Sequence, residues 1–198
     1  ELHATLLHRS QWVGIDGAPN TSNLNAHAYI GQIKGGVGLN LVNDRLGAEK
    51  TTTVSVSYAY QLGLGSEHQL GMGLSFGLLQ RGYQVSEWVN PENTSDSALP
   101  PPGSSKSAPD LGLGFYFTSE DYYLGVSATH ILPQQLDFDG VAKYQIVPHY
   151  YFLAGYDFDL TEDFSLRTNV FSKTDGISVQ TDININTFYK ENYWTGMS

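Results

Sequence analysis

RSQWVGIDGAPNTSNLNAHAYIGQIKGGVGLNLVNDRLGAEKTTTVSVSYAY, residues 9–60, carries three runs in which apolar and polar side chains take turns. Leu24, Ala26, Ala28 and Ile30 alternate with Asn23, Asn25, His27 and Tyr29. Val37, Leu39 and Leu41 repeat the pattern, and Val54, Val56, Tyr58 and Tyr60 alternate with Thr53, Ser55, Ser57 and Ala59. A period of two belongs to strands, whose successive side chains point to opposite faces. Each run is as long as a tilted strand needs to cross a lipid core, roughly 9 to 11 residues. One face of each predicted strand is apolar; the other is small and polar.

Composition agrees with this class. The chain has 198 residues, the range of one domain, and no Cys, so neither disulfides nor a thiolate metal site hold it together. Charged residues make up only 15%, against 21 Gly and 13 Tyr, a bias toward strands, tight turns and aromatic belts. A net charge of -10 argues against nucleic acid, whose phosphates repel such a surface. No apolar run approaches the roughly 20 residues of a membrane helix, so a bilayer is crossed here only by a closed barrel. The fold expected is therefore all-β, a transmembrane antiparallel up-and-down β-barrel. A soluble barrel or sandwich shows the same alternation, but carries more charge on its outer face and less lopsided loops.

Outward from the opening stretch, a weak first strand covers residues 2–13, with a turn at IDGAPN. GQIKG makes a short break, and NDRLGAEK is expected to be a longer polar loop. Leu70, Met72, Leu74, Phe76 and Leu78 mark a fifth strand, and Pro- and Ser-rich residues 84–109 a long surface loop. Residues 111–117 and 122–128 flank a tight turn, and LPQQLDFDGVAKYQIVP reads as another long loop. Strands then follow at residues 150–158, 164–170, 177–186 and from Asn192, about eleven in all. Connections alternate long and short, the rule of outer-membrane barrels, with short periplasmic turns and long outer loops. Asp16, Arg45, Trp88, Pro101 and Asp139 lie on the expected outer loops and are candidate partner contacts. Tyr29, Tyr60, Phe117, Tyr122, Phe158, Tyr189, Tyr193 and Trp194 gather beside the short turns, where an interfacial girdle belongs. Arg9, His27, Arg167, Asp182 and Asn184 fall on the polar phase as lumen residues, and Arg167 is expected to bridge to Asp182.

QWVGIDGAPNTSNLNAHAYI, GVGLNLVNDRLGAEKTTTVSVSYAYQL, PDLGLGFYF, YYLGVSATHIL, HYYFLAGYDFDL and DGISVQTDININTFYKENYWTGMS together resemble the PorP/SprF family of Bacteroidota outer-membrane proteins. QWVG-x-DGAP followed by NDR-x-G is the most specific part. The resemblance implies a barrel of about 14 strands in the type IX secretion and gliding machinery, assisting secretion or surface attachment of a large cargo protein. It implies no catalytic residue and no cofactor. The Pro- and Ser-rich loop departs from the family pattern. The residues 1–198 are then one barrel domain, incomplete at its C-terminal end and at its N-terminal lead, with residues 2–13 and 193–197 not pairing directly.

Other local signals favour plain structure. Gly73-Leu74-Ser75-Phe76-Gly77 fits G-x-S-x-G but lies in mid-strand, where no nucleophile elbow forms. Asp137 and Asp139 before Gly140 lack the remaining ligands of a calcium loop, and the six His show no pair at metal spacing on one face. Asp96-Ser97-Ala98 resembles a short O-glycosylation site. Three function classes follow: a secretion-associated outer-membrane anchor with cargo and periplasmic partners, a diffusion channel or hydrophobic-substrate transporter, and a barrel phospholipase. The first is the reading the resemblance favours.

Overall fold

A computed structural model describes residues 1–83, 100, 103–190 and 192–198. The described strands are β1 (Leu2–Ser10), β2 (Asn20–Ile30), β3 (Gly35–Leu46), β4 (Glu49–Gly63), β5 (Gln69–Tyr83), β6 (Ser105–Thr118) and β7 (Tyr122–Thr129). They continue as β8 (Gln134–Phe138), β9 (Ala142–Ile146), β10 (His149–Asp159), β11 (Phe164–Thr174), β12 (Val179–Tyr189) and β13 (Tyr193–Met197). Eleven of them hydrogen-bond in the order β1-β2-β3-β4-β5-β6-β7-β10-β11-β12-β13, while β8 and β9 form a sheet of their own. No ladder joins β1 to β13 among the described residues. An antiparallel all-β sheet is thus seen; its closure into a barrel is not. No described helix is long and apolar enough to cross a membrane, which says nothing of crossing by strands.

Register keeps the two phases apart, as a period of two demands. Leu24 lies opposite Leu41, Ala26 opposite Leu39 and Ala28 opposite Val37. Ala154 faces Val170, which faces Ile183. Much of this apolar phase stands exposed: Leu74 at 66% and Ile183 at 64% are the most open examples, with Val56, Phe115, Val126 and Phe152 also exposed. The opposite phase mixes Gly, Ser, Thr and Asn with some aromatic and charged side chains, such as Tyr151, Phe171, Arg167 and Asp182. A soluble protein buries its apolar phase; here burial is confined elsewhere.

The chain divides into two compact units. The first comprises residues 1–58, 75–111 and 132–147, and holds the buried core: Leu79, Ala108, Leu136, Phe138 and Ile146, with Tyr83, Ala142 and Tyr144 packed against it. Leu79 and Ala108 belong to the polar phase of β5 and β6, because Leu78 and Pro109 beside them are exposed. The β8–β9 hairpin therefore lies on the polar face of the sheet. The second unit comprises residues 59–74, 112–131 and 148–198, and is built on the β7, β10, β11, β12 and β13 ladders.

Several expected boundaries are corrected. NDRLGAEK is no loop: β3 runs to Leu46 and β4 starts at Glu49, leaving a turn at residues 47–48 with Ala48 buried. Its polar side chains bond across strands, Asn43 Nδ2 donating to Thr52 Oγ1 at 2.9 Å and Thr21 Oγ1 to Asp44 Oδ1. Residues 132–148 hold the β8–β9 hairpin rather than a plain loop. β6 starts at Ser105, inside the expected Pro- and Ser-rich loop, most of which lies outside the described residues. β1 stops at Ser10, since Trp12 turns to φ 53, and β12 starts at Val179 because Asp175 ties Ile177 and Ser178 into a turn.

Phe138 is fully buried, the largest side chain among the described residues to be so. Replacing it with Ala removes the centre of the buried core that the hairpin makes. Phe138→Ala should cost roughly 3 to 5 kcal/mol of the hairpin's packing, read as a lower unfolding midpoint in detergent, with the strand content of the sheet retained.

Candidate functional site

The polar face carries the chemistry. In the first unit Arg9 lies opposite Thr21, and Thr21 opposite Asp44, so a cation, a hydroxyl and a carboxylate form one row across β1, β2 and β3. His27 stacks on His3 of β1 with ring centroids 5.4 Å apart, and its Nδ1 is 3.3 Å from Asn25 Oδ1. In the second unit Asn184 donates through Nδ2 to Asn169 Oδ1 at 2.9 Å. These contacts satisfy polar groups that face one another; among the described residues no three His, Cys, Asp or Glu gather around one point. Ser75 stands on the polar phase of β5, in mid-strand.

Arg167 does not bridge to Asp182. Its guanidinium forks onto Asp157, Nε to Oδ1 at 2.8 Å and Nη2 to Oδ2 at 2.7 Å, and lies 5.1 Å from the Phe188 ring centroid. Register decides this. Asp157 is directly opposite Arg167, whereas Arg167 faces Asn186 on β12 and Asp182 faces Phe171. Four residues along a strand is about 13 Å, beyond reach. Asp182 instead accepts from Gln180 Nε2 at 3.4 Å.

The aromatic residues divide by phase. Tyr60, Phe117, Tyr122, Phe158, Tyr189 and Tyr193 stand on the apolar phase, with Tyr122 parallel to Tyr156 and the Phe164 ring tilted against Tyr189 at 4.8 Å. Tyr29 shares its phase with His27 and Asn25, opposite Gly36, and Trp194 pairs with Phe188 beside Arg167. Both stand on the polar phase, apart from the other six.

The expected outer loops are placed as follows. Asp16 sits in the connection of residues 11–19 and Asp139 at the tip of the β8–β9 hairpin, its carboxylate 3.4 Å from Lys106 Nζ. Asp137 caps that tip by accepting from the Gly140 N–H at 2.7 Å, a turn rather than a calcium loop. Arg45 is a strand residue opposite Asn20. Trp88, Pro101 and Asp96-Ser97-Ala98 lie outside the described residues. The two most specific sequence motifs meet in space: the Gly47 N–H donates to the Gly17 carbonyl at 2.8 Å, both glycines at positive φ. A Cβ on Gly17 would lie 3.2 Å from Gly47 Cα, so DGAP and the NDR-x-G turn need glycine to pack backbone on backbone.

Three features escaped the sequence reading. Trp12, Val13 and Ile15 are exposed on the loop held to that turn. In the second unit, a recess of about 440 Å³ is lined in part by Gly71, Gly73, Gly114 and Gly125 together with Tyr116, Tyr151, Leu153 and Phe171. In the first unit Arg81 of β5 donates to the Glu49 carboxylate of β4 and lies 3.7 Å above the centre of the Tyr144 ring of β9. The signal for this last site was a lone Arg in the polar phase of an apolar strand.

A family model described as type IX secretion system membrane protein PorP/SprF matches residues 1–198. Comparison with curated proteins and with solved structures gives no match.

The turn between β11 and β12 offers a pH probe. Asp175 accepts from the N–H groups of Ser178 at 2.7 Å and Ile177 at 2.9 Å and from Ser178 Oγ, which holds its carboxyl down at about 2, against an ordinary 3.8. A lowered folded value means that the turn is stabilised fully above 3.8 and loses this support as pH falls through about 2. Carbon-13 NMR of the Asp175 carboxyl should show it ionised at pH 3, and Asp175→Asn should abolish the acid transition of the adjacent amides.

Proposed function

Because this chain belongs to the PorP/SprF family of type IX secretion system membrane proteins, we propose that it acts as an outer-membrane β-barrel in the secretion and gliding machinery of a member of the Bacteroidota. Its role there is to help secrete, or anchor at the cell surface, a particular cargo protein. The observation that carries the membrane part is the apolar phase, much of it exposed, that runs through an eleven-stranded antiparallel sheet. Hydrocarbon is the solvent that such a surface fits, and only a closed barrel satisfies every backbone group within it. The work is done by binding and positioning; no residue is assigned a catalytic role, and no cofactor is required. Periplasmic components of the system and the cargo are the partners.

A diffusion channel is the second reading. It is disfavoured by the hairpin that covers part of the polar face and by a lining rich in Gly, Ser, Thr and Asn with few ionisable groups.

Deletion of the gene should leave one or a few cargo proteins off the surface while others still arrive, read by comparing surface-labelled and periplasmic proteins. An unchanged surface set in the deletion strain would overturn the reading. Arg placed at Val56, Leu74 or Ile183 should cost roughly 2 to 4 kcal/mol near the bilayer midplane, while Arg at Ser57 or Asn184 is tolerated better. Equal losses on both phases, measured by unfolding in lipid bilayers, would count against a membrane-facing sheet.

A further inference from the structure

The β8–β9 hairpin has the features of a removable part. It forms a sheet of its own, separate from the eleven strands, and is entered at Pro133 and left at Pro148. Backbone hydrogen bonds do not carry it on β5 and β6; side chains do. Leu136, Phe138 and Ile146 press on Leu79 and Ala108, Tyr83 meets the Phe138 ring edge-on at 4.9 Å, and Gln134 Nε2 reaches the Pro109 carbonyl at 3.1 Å. Two charged contacts close it. Lys106 holds Asp139 at the tip, an exposed pair of small worth. Arg81 is different: its side chain is only 14% exposed, clasped between the Glu49 carboxylate and the Tyr144 ring. A guanidinium stacked on an aromatic face and paired with a carboxylate keeps both contacts only while Tyr144 is seated.

We infer that the hairpin is a strap latched by Arg81, and that its release uncovers the polar face beneath it. Opening trades the Arg81–Tyr144 stack and a small apolar core for solvated groups, and breaks no strand ladder of the main sheet. The side that is uncovered presents Leu79, Tyr83, Ala108 and a freed Arg81–Glu49 pair. Access to the polar face is thereby made a two-state property of one side-chain cluster. This rests on the membrane-barrel reading only for its consequence, conductance; the movement itself stands on the cluster.

The test uses the protein's lack of cysteine. Spin labels at Ser107→Cys and Gln145→Cys, both exposed positions, report the strap-to-sheet distance in detergent. The wild-type background should give one short distance. Arg81→Ala should add a longer population, a shift on the order of tenfold for one lost charged contact, with Arg81→Lys intermediate because it keeps the Glu49 pair without the stack. If Arg81→Ala does not fold, Tyr144→Leu carries the same test, since it keeps the apolar packing and removes the ring. In planar bilayers the variant should conduct more often than the wild type. Cross-linking Lys106→Cys to Asp139→Cys with a bismaleimide should return both readings to wild type. A single short distance in both Arg81→Ala and Tyr144→Leu would overturn the latch; conductance indifferent to the cross-link would overturn the gating. Neither measurement involves cargo, so loss of the secretion reading and loss of the strap are separate results.

Discussion

The structure depends on one constraint: apolar side chains take alternate positions through eleven paired strands, and many of them stand exposed. In water that surface is a liability, and in hydrocarbon it is matched to its surroundings. The same constraint explains what the other phase is made of. Where two strands lie close and must stay regular, small and polar side chains leave room for one another and bond across the ladder, as Asn184 does with Asn169. Register can also set a charged pair, as it does for Arg167 on Asp157.

Polarity along the chain therefore has two meanings. Asn43, Asp44, Arg45 and Glu49 are polar because β3 and β4 extend past the apolar stretch, and their side chains knit the extension together. The alternation signal vanishes there although the strand does not. A purely pattern-based reading ends a strand where its apolar phase ends, and so converts an ordered sheet margin into a loop. The physical difference lies in cross-strand bonds, which single residues do not display.

Legibility in the sequence follows from this. Strands with a sustained apolar phase, such as β4, β5 and β12, were readable because the period of two needs no knowledge of neighbours. The hairpin was not: LDF and YQI are short, and Leu136, Phe138 and Ile146 find their partners, Leu79 and Ala108, far away in the chain. The Arg167 partner needed register, which sequence leaves open, and an error of four residues moves a side chain out of reach. Tyr29 and Trp194 are another matter. Their phase was in the alternation itself, beside His27 and Asn25 for Tyr29, and nearness to a turn was given more weight than phase. The Gly17–Gly47 contact shows the reverse case, where two motifs were recognised and only the fold explains them.

What distinguishes the two units bears on how such a protein can serve a partner. The second unit, residues 59–74, 112–131 and 148–198, contains a recess lined in part by aromatic residues and glycines, and no buried hydrophobic core among the described residues. The first spends its few buried apolar side chains on fastening a hairpin to the polar side. On the membrane-barrel reading proposed above, the sheet needs no interior core to be stable, because lipid takes the apolar phase and ladders take the backbone. A core placed where none is required for the sheet therefore has the hairpin as its object. That is the physical ground for reading β8 and β9 as a working part carried by the sheet.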